Sequence, residues 1–433
     1  MVSSTTLFNQ NSQRPHPSEV PTRLGVAIVG LGGAVATTAI AGVALLRAEA
    51  MDTTGLPLAD LPAELTSQLA RYQNLVFGGW DLSSADLATA ARHHRVLEPE
   101  QLAAAEVELS AIQPWPAVGN VRYCRNVTGT HLVAACDSAA AVEAIRADLR
   151  RFRQEQELDD VVVIHLASTE AAPDLSAAIF ATPAAFEAAV AANDERIPPA
   201  MLYAYAAILE KAPYANFTPS AAADAPALHQ LARERSVPVT GKDGKTGQTF
   251  MKTVLAPAFK ARNLVVDGWF STNILGNRDG EALASPESLA SKITTKGSVL
   301  DDILGYQVGS HLVHIHYYKP RGDNKEAWDN IDLVGFMGQK MQVKVNFLCR
   351  DSILAAPLVL ELARLLNLAN RRQEGGVIEA LGVFFKSPMV SEYGRQPEHA
   401  FEKQQLALLA WLAETTATRA AVTSDSVVAQ NEA

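Results

Sequence analysis

The amino-acid sequence predicts an α/β protein built in two parts, and three observations lead there. A charge-free stretch near the start is broken by clustered glycines. β-rich runs then alternate with alanine-rich helical stretches through the first half, and from about residue 250 this gives way to a mixture of longer strands and amphipathic helices.

The charge-free stretch, LGVAIVGLGGAVATTAIAGVALL, spans 23 residues from Leu24 to Leu46, between Arg23 and Arg47. A bilayer crossing needs about 20 apolar residues, so length alone permits a membrane span. Composition favours another reading, because Gly30, Gly32 and Gly33 sit in the middle, where a spanning helix gains nothing from them. Val26 to Val29 is β-prone, and Val35, Ala39, Val43 and Leu46 recur at helical spacing. The pattern is strand, tight turn, helix, the opening of a dinucleotide-binding βαβ unit. In such a unit one glycine permits the turn, a second lets backbone N–H groups approach a pyrophosphate, and the helix N-terminus adds partial positive charge. The fingerprint is imperfect, with Val35 at its third position and Ala36 one place later. Ala48-Glu49-Ala50 resembles a signal-peptide cleavage site, but the region before the apolar run is long and carries only Arg14 and Arg23 as positive charges.

After this unit, Asn74 to Trp80 and Val161 to Leu166 read as strands, with helices near 84 to 93, 99 to 111, 138 to 155 and 183 to 193. Later strands are expected at 264 to 270, 311 to 318 and 341 to 348, and long amphipathic helices at 352 to 372 and 398 to 413. The expected organisation is a nucleotide-binding domain over 23–249, a second α/β domain over 250–351, and a return to the first over 352–414. Polar residues dominate 1–22 and 415–433, which reads as two flexible tails.

Whole-chain numbers set limits on function. The 433 residues allow two or three domains, and a hydrophobic content of 48 % supplies large cores. A net charge of −10 with no long basic run argues against nucleic acid as a partner. Three cysteines, Cys124, Cys136 and Cys349, form no CxxC pair, so the expectation is reduced thiols in the cytoplasm and no cysteine zinc site.

Chemistry-bearing residues cluster in the second half. Val239 to Thr249, VTGKDGKTGQT, precedes a helix, and its Gly244-Lys245-Thr246 looks like the end of an NTPase phosphate loop. That motif needs glycine where Val239 stands. What remains is a glycine-rich turn at a helix N-terminus, with hydroxyls and lysines suited to a phosphomonoester, or else a solvated loop. NILGNRDG, from Asn273 to Gly280, is dense in amides, which in turns are commonly structural. Lys292 and Lys296 are four apart, on one face if helical, with Asp301 and Asp302 near enough in sequence to neutralise them. Lys325 follows a turn, and Lys386 stands beside Phe384 and Phe385, where lysines often snorkel. His314 and His316 share a strand face, but no metal site is expected there.

Taken together, the order of segments resembles that of the myo-inositol-1-phosphate synthases: the turn at 30–36, FGGWD at 77–81, ASTE at 167–170, GKDGKTGQT at 241–249, NILGNRDG at 273–280, SKITTK at 291–296, GDNKEAWD at 322–329, DSILAAP at 351–357 and FFKSP at 384–388. The resemblance implies a Rossmann-type NAD-binding domain with a second α/β domain for catalysis and oligomerisation, as a homotetramer without nucleic-acid or membrane partners. It implies cyclisation of glucose 6-phosphate to myo-inositol 1-phosphate: oxidation at C5 makes the C6 protons acidic, the C6 enolate closes on the C1 aldehyde, and the ketone is reduced again. Fixed ammonium groups would stabilise the oxyanions that arise.

By the same resemblance, Lys292, Lys296, Lys325, Lys386, Asp243 and Asp279 are catalytic. Gly30, Gly32, Gly33, Ala34, Asp81, Ala167, Thr169, Asn273 and Asp351 bind NAD. Thr246, Gly247, Gln248, Thr249, Leu275 and Asn277 hold the substrate and its phosphate. There are departures: GGAVA replaces the usual GGNNG, Lys242 replaces the first acid of the GDD-type motif, Thr246 replaces a serine, and Arg278 replaces an Asn. A related cyclase acting on fructose 6-phosphate, a plain NAD-dependent dehydrogenase and an inactive nucleotide-binding scaffold stay open as alternatives.

Overall fold

The computed structural model describes residues 20–124, 129–276 and 299–414. The charge-free stretch is a strand, β1 (Leu24–Val29), and a helix, Ala34–Arg47, joined by the glycine turn. Every residue of β1 is buried, as in a strand covered on both faces.

Six further strands join it in an all-parallel sheet: β2 (Leu75–Asp81), β3 (Trp115–Pro116), β4 (Asp160–His165), β5 (Tyr214–Asn216), β6 (Pro238–Gly241) and, late in the chain, β11 (Gly376–Val377). The order β11-β6-β5-β4-β1-β2-β3 is the doubly wound Rossmann order with β11 added beyond β6. Strand order reverses at β1, between β2 and β4, so the carboxyl ends of β1 and β4 open the crevice where such sheets bind ligands.

Both faces are covered. On one, Ile40 and Val43 of the helix Ala34–Arg47 pack with Val359, Leu362 and Leu366 of the helix Asp351–Arg371. On the other, Leu149 and Phe152 pack with Met201, Tyr203 and Ala204. Asp351–Arg371 is the one helix among the described residues long and apolar enough to cross a membrane, and most of it is buried inside the protein.

The second sheet has the order β10-β9-β7-β8, from β7 (Val265–Leu275), β8 (Ser310–Tyr317), β9 (Asn324–Val334) and β10 (Lys340–Arg350). β9 runs antiparallel to both β7 and β10, whereas β8 pairs parallel with β7. One face buries Trp269, Ile331 and Leu333 against Phe259 of the helix Gly247–Ala261 and Leu300 and Ile303 of the stretch 299–304. The other face leaves Phe270, Leu312, Trp328 and Leu348 exposed. The two sheets are joined at two places: the helix Gly247–Ala261 leads from β6 to β7, and β10 runs straight into the helix Asp351–Arg371.

Side-chain caps explain where four of the helices begin. Asp137 caps the helix Ser138–Glu155 through the Ala140 N–H, Thr182 caps Pro183–Ala191, and Glu98 and Gln101 form a capping box ahead of Pro99–Ala111. Asp86 caps a helix that runs Leu87–His94, a few residues later than periodicity alone suggests, and the last helix is likewise shorter than expected, Phe401–Ala413. By contrast, the helices Ala34–Arg47 and Gly247–Ala261 follow glycine-bearing turns and have no side-chain cap.

Candidate active site

The nucleotide turn is built almost wholly from backbone. Gly30 has φ +88°, and a Cβ there would stand 3.0 Å from Cα and N of Ala167, on the loop that leaves β4. The Gly30 and Leu31 N–H groups donate to the Trp80 carbonyl at 2.8 and 3.0 Å. Asp81, at the end of β2, accepts from the Gly32 N–H at 2.8 Å through one oxygen and from the Ser83 N–H at 2.9 Å through the other. Past Gly33 the first N–H groups of the uncapped helix, starting at Ala34, have no partner within the helix. An uncapped helix start, a glycine cradle and a carboxylate one strand away fit the diphosphate and ribose of NAD. Backbone groups make the turn's hydrogen bonds, apart from the Asp81 carboxylate. Asp81→Ala is expected to weaken NAD about tenfold and leave sugar-phosphate affinity unchanged; calorimetric titration of both ligands measures this, and equal losses on the two would reject Asp81 as a nucleotide ligand.

Across the crevice, residues 241–246 pair antiparallel with 384–389. The Lys242 N–H donates to the Ser387 carbonyl at 2.9 Å, the Lys245 N–H to the Phe384 carbonyl at 2.8 Å, and the Lys386 N–H to the Asp243 carbonyl at 2.6 Å. Gly244 lies so close to Phe217 that a Cβ would stand 2.1 Å from its ring atoms. This pairing brings the Lys386 ammonium to 2.7 Å from Asp243 Oδ1, and the two side chains are only 12 % and 8 % exposed.

The second sheet and the returning helix complete the cluster. Asp351, the first residue of its helix, accepts through Oδ1 from the Thr246 hydroxyl at 2.8 Å and from the Lys325 ammonium at 3.2 Å. Burial alone would raise the Asp351 pKa, but Lys325, Lys386 and the Thr246 hydroxyl outweigh it and hold the carboxylate at about 2. Burial likewise works against charge on Lys325, yet Asp351 pushes its pKa above the ordinary lysine value. Gly247, at φ +55°, lies under Lys325: a Cβ there would be 3.6 Å from Nζ.

Gln248 and Thr249 are buried in the first turn of the same helix, and Asn273 donates to Gln248 Oε1 at 2.7 Å. Leu275 is buried at the end of β7, and Thr169 follows Ala167 on the loop after β4. The structure therefore gathers Asp243, Thr246, Gly247, Gln248, Asn273, Lys325, Asp351 and Lys386. Asn277, Asp279, Lys292 and Lys296 lie outside the described residues.

Three further lysines of this region stand outside the predicted site residues. Lys242 pairs with Asp224 at 2.6 Å, which accounts for a cation where an acid is usual. Lys252 is 2 % exposed, 2.7 Å from His311 Nε2, with burial drawing its pKa down to about 8. Lys245 donates to Gln404 Oε1 and sits over the Phe401 ring, and burial draws its pKa down to about 7. Since the unfolded chain holds that proton up to about 10.5, stability rises with pH through the window from 7 to 10.5. Lys245→Met is expected to stabilise the protein by up to roughly 4 kcal/mol below pH 7, with the gain vanishing near pH 10. Urea unfolding at several pH values checks the slope; a gain independent of pH would contradict it.

A Rossmann sheet with an uncapped nucleotide turn, facing a buried set of lysines and carboxylates, defines an NAD-binding α/β enzyme. The comparisons with known proteins agree. The profile of an NAD-binding family described as myo-inositol-1-phosphate synthase matches residues 59–413, and the chain belongs to that family. An inositol-3-phosphate synthase of Bacteroides thetaiotaomicron is 44 % identical over 394 residues, covering 87 % of this chain and 92 % of the relative. The crystal structure of inositol-3-phosphate synthase from Caenorhabditis elegans superposes with a TM-score of 0.84 at 28 % identity, covering 91 % of this chain and 86 % of that one. A myo-inositol-1-phosphate synthase-related protein from Thermotoga maritima gives a TM-score of 0.72 at 25 % identity, over 90 % and 98 %.

Proposed function

We propose that this enzyme converts glucose 6-phosphate to myo-inositol 1-phosphate (1D-myo-inositol 3-phosphate). The observation that carries the reading is the pair of ammonium groups, Lys325 and Lys386, each held against a carboxylate within one cluster beside the helix start at Gly247. Bound NAD would supply reversible hydride acceptance with no net redox change. The chain's own groups do the rest. Thr246 to Thr249, at an uncapped helix N-terminus, bind the phosphate. The Lys386 ammonium, fixed by Asp243, stabilises the oxyanion at C1, and Lys325 stabilises phosphate or oxyanion charge. Lys292 or Lys296 moves the proton at the C5 oxygen.

In this reading 23–249 and 352–414 form the cofactor domain and 250–351 the catalytic and oligomerisation domain. The working form is a cytoplasmic homotetramer, supported by the uncovered apolar side chains Phe270, Leu312, Trp328 and Leu348 on one sheet face.

The test is to incubate the purified protein separately with glucose 6-phosphate and fructose 6-phosphate and identify the product by NMR. The reading requires an inositol phosphate from glucose 6-phosphate and no steady build-up of NADH absorbance at 340 nm. A five-membered carbocycle from fructose 6-phosphate, or accumulating NADH, would replace it with the corresponding cyclase or dehydrogenase.

A further inference from the structure

Asp329 lies on β9 on the same sheet face as Lys325, at the centre of a buried polar chain. Its Oδ1 accepts from the Trp269 indole N–H at 2.7 Å, the Ser271 hydroxyl at 2.7 Å and the Gln248 Nε2 at 3.1 Å. Gln248 Oε1 in turn accepts from Asn273 Nδ2 at 2.7 Å. All four of Asp329, Ser271, Gln248 and Asn273 are at most 3 % exposed. At the end of the chain, Asn273 Oδ1 is buried and has no hydrogen-bond partner among the described residues.

The direction of this chain follows from the donor and acceptor types. An indole N–H can only donate and a carboxylate can only accept. Gln248 must therefore turn its NH₂ toward Asp329, which leaves its carbonyl toward Asn273. Asn273 must then spend its own NH₂ on that carbonyl, and the atom it presents onward is an oxygen. On β7, Asn273 is paired with Ala327 of β9, so it is a diagonal neighbour of Lys325 across the sheet. Through Gln248 it also adjoins Gly247, under Lys325.

We infer that Asp329 is a positioning residue: through Gln248 it fixes the Asn273 amide so that Oδ1 is a standing acceptor, and the ligand bound there donates a neutral hydrogen bond to it. This rests on the proposed function for the identity of the ligands, where two sources offer such a donor, the carboxamide NH₂ of the nicotinamide and a hydroxyl of the sugar phosphate. A buried acceptor left without a donor is costly, so a ligand lacking the donor is penalised.

The experiment compares dissociation constants for the full-length protein freed of nucleotide. One arm uses NAD⁺ and its 3-acetylpyridine analogue, in which a methyl group replaces the amide NH₂. The other uses glucose 6-phosphate and its monodeoxy analogues with NAD⁺ present. Wild type is expected to bind the donor-lacking member of one pair about tenfold more weakly, equivalent to ~1.4 kcal/mol, and the pair affected identifies the source. The ratio should fall to about one in Asn273→Ala and in Asp329→Ala, and survive in Asp329→Asn, whose amide oxygen can still accept from Trp269, Ser271 and Gln248. Absence of discrimination in both wild-type arms overturns the inference without any substitution. So does discrimination that persists in Asn273→Ala, or that Asp329→Ala leaves intact. Turnover of glucose 6-phosphate measured alongside separates the two readings: turnover without discrimination sinks the relay alone, and discrimination without turnover sinks the proposed reaction alone.

Discussion

Replacing Lys386 by alanine is expected to lower the turnover number for cyclisation about 10³-fold while NAD affinity stays within about twofold of wild type. The side chain is anchored at both ends, since its backbone N–H donates to the Asp243 carbonyl at 2.6 Å and its ammonium to Asp243 Oδ1 at 2.7 Å. Such a cation needs no reorganisation when negative charge develops on the substrate, and in a nearly dry site its field is weakly screened. The nucleotide turn lies on the other side of the crevice and shares no hydrogen bond with it, so cofactor binding has no reason to fall. Rapid-quench turnover and nucleotide titration test both halves of the statement. A variant that still cyclises at the wild-type rate would remove Lys386 from the chemistry.

Asp351→Asn should damage both stability and activity. In the parent protein the carboxylate is held at about 2 against 3.8 for an ordinary aspartate. A lowered carboxylate pKa means stability that is present above about pH 4 and lost as pH falls toward 2, here about 2 kcal/mol. The amide variant loses that contribution and leaves Lys325, 9 % exposed, without its carboxylate, so the total loss is expected to be about 3 kcal/mol at neutral pH. Burial then meets only the weaker pull of Cys349 and Asp243, and the Lys325 pKa falls. Residual activity should accordingly be greatest on the acid side and fall as pH rises and Lys325 loses its proton. Denaturant unfolding and a pH–rate profile provide the two readouts; an unchanged profile would show that Lys325 does not depend on Asp351 for its charge.

How much of this was legible in the sequence depended on where periodicity and function pull in the same direction. The glycine turn and the helices Pro99–Ala111 and Ser138–Glu155 are readable because turn residues, caps and apolar spacing agree. The helix Pro199–Leu209 escaped because nearly all of it is buried, so no face contrasts with another. β5 and β6, at three and four residues, are too short to show a period. β9 was hidden for a more informative reason. Its buried face carries Lys325, Ala327, Asp329, Ile331 and Leu333, so polar site residues stand where a strand's apolar alternation would announce itself. The cluster itself has no local signature, because Thr246 meets Asp351 across 105 residues and Asp243 meets Lys386 across 143. Family resemblance located its members, but only the fold shows Thr246 and Lys325 meeting on one carboxylate oxygen. Asp329 was invisible as one of several acids in a polar segment.

The late return of the helix Asp351–Arg371 and of β11 to the first sheet has a consequence for how the protein is made. A ribosome adding about 5–20 residues per second takes roughly 16–64 s to travel from the glycine turn to Asp351. Throughout that interval the nascent Rossmann sheet lacks the helix that fills the middle of one face and the strand that closes one edge. The nucleotide cradle is thus translated well before it is completed, and its apolar underside is a surface for chaperones until residues 351–377 emerge.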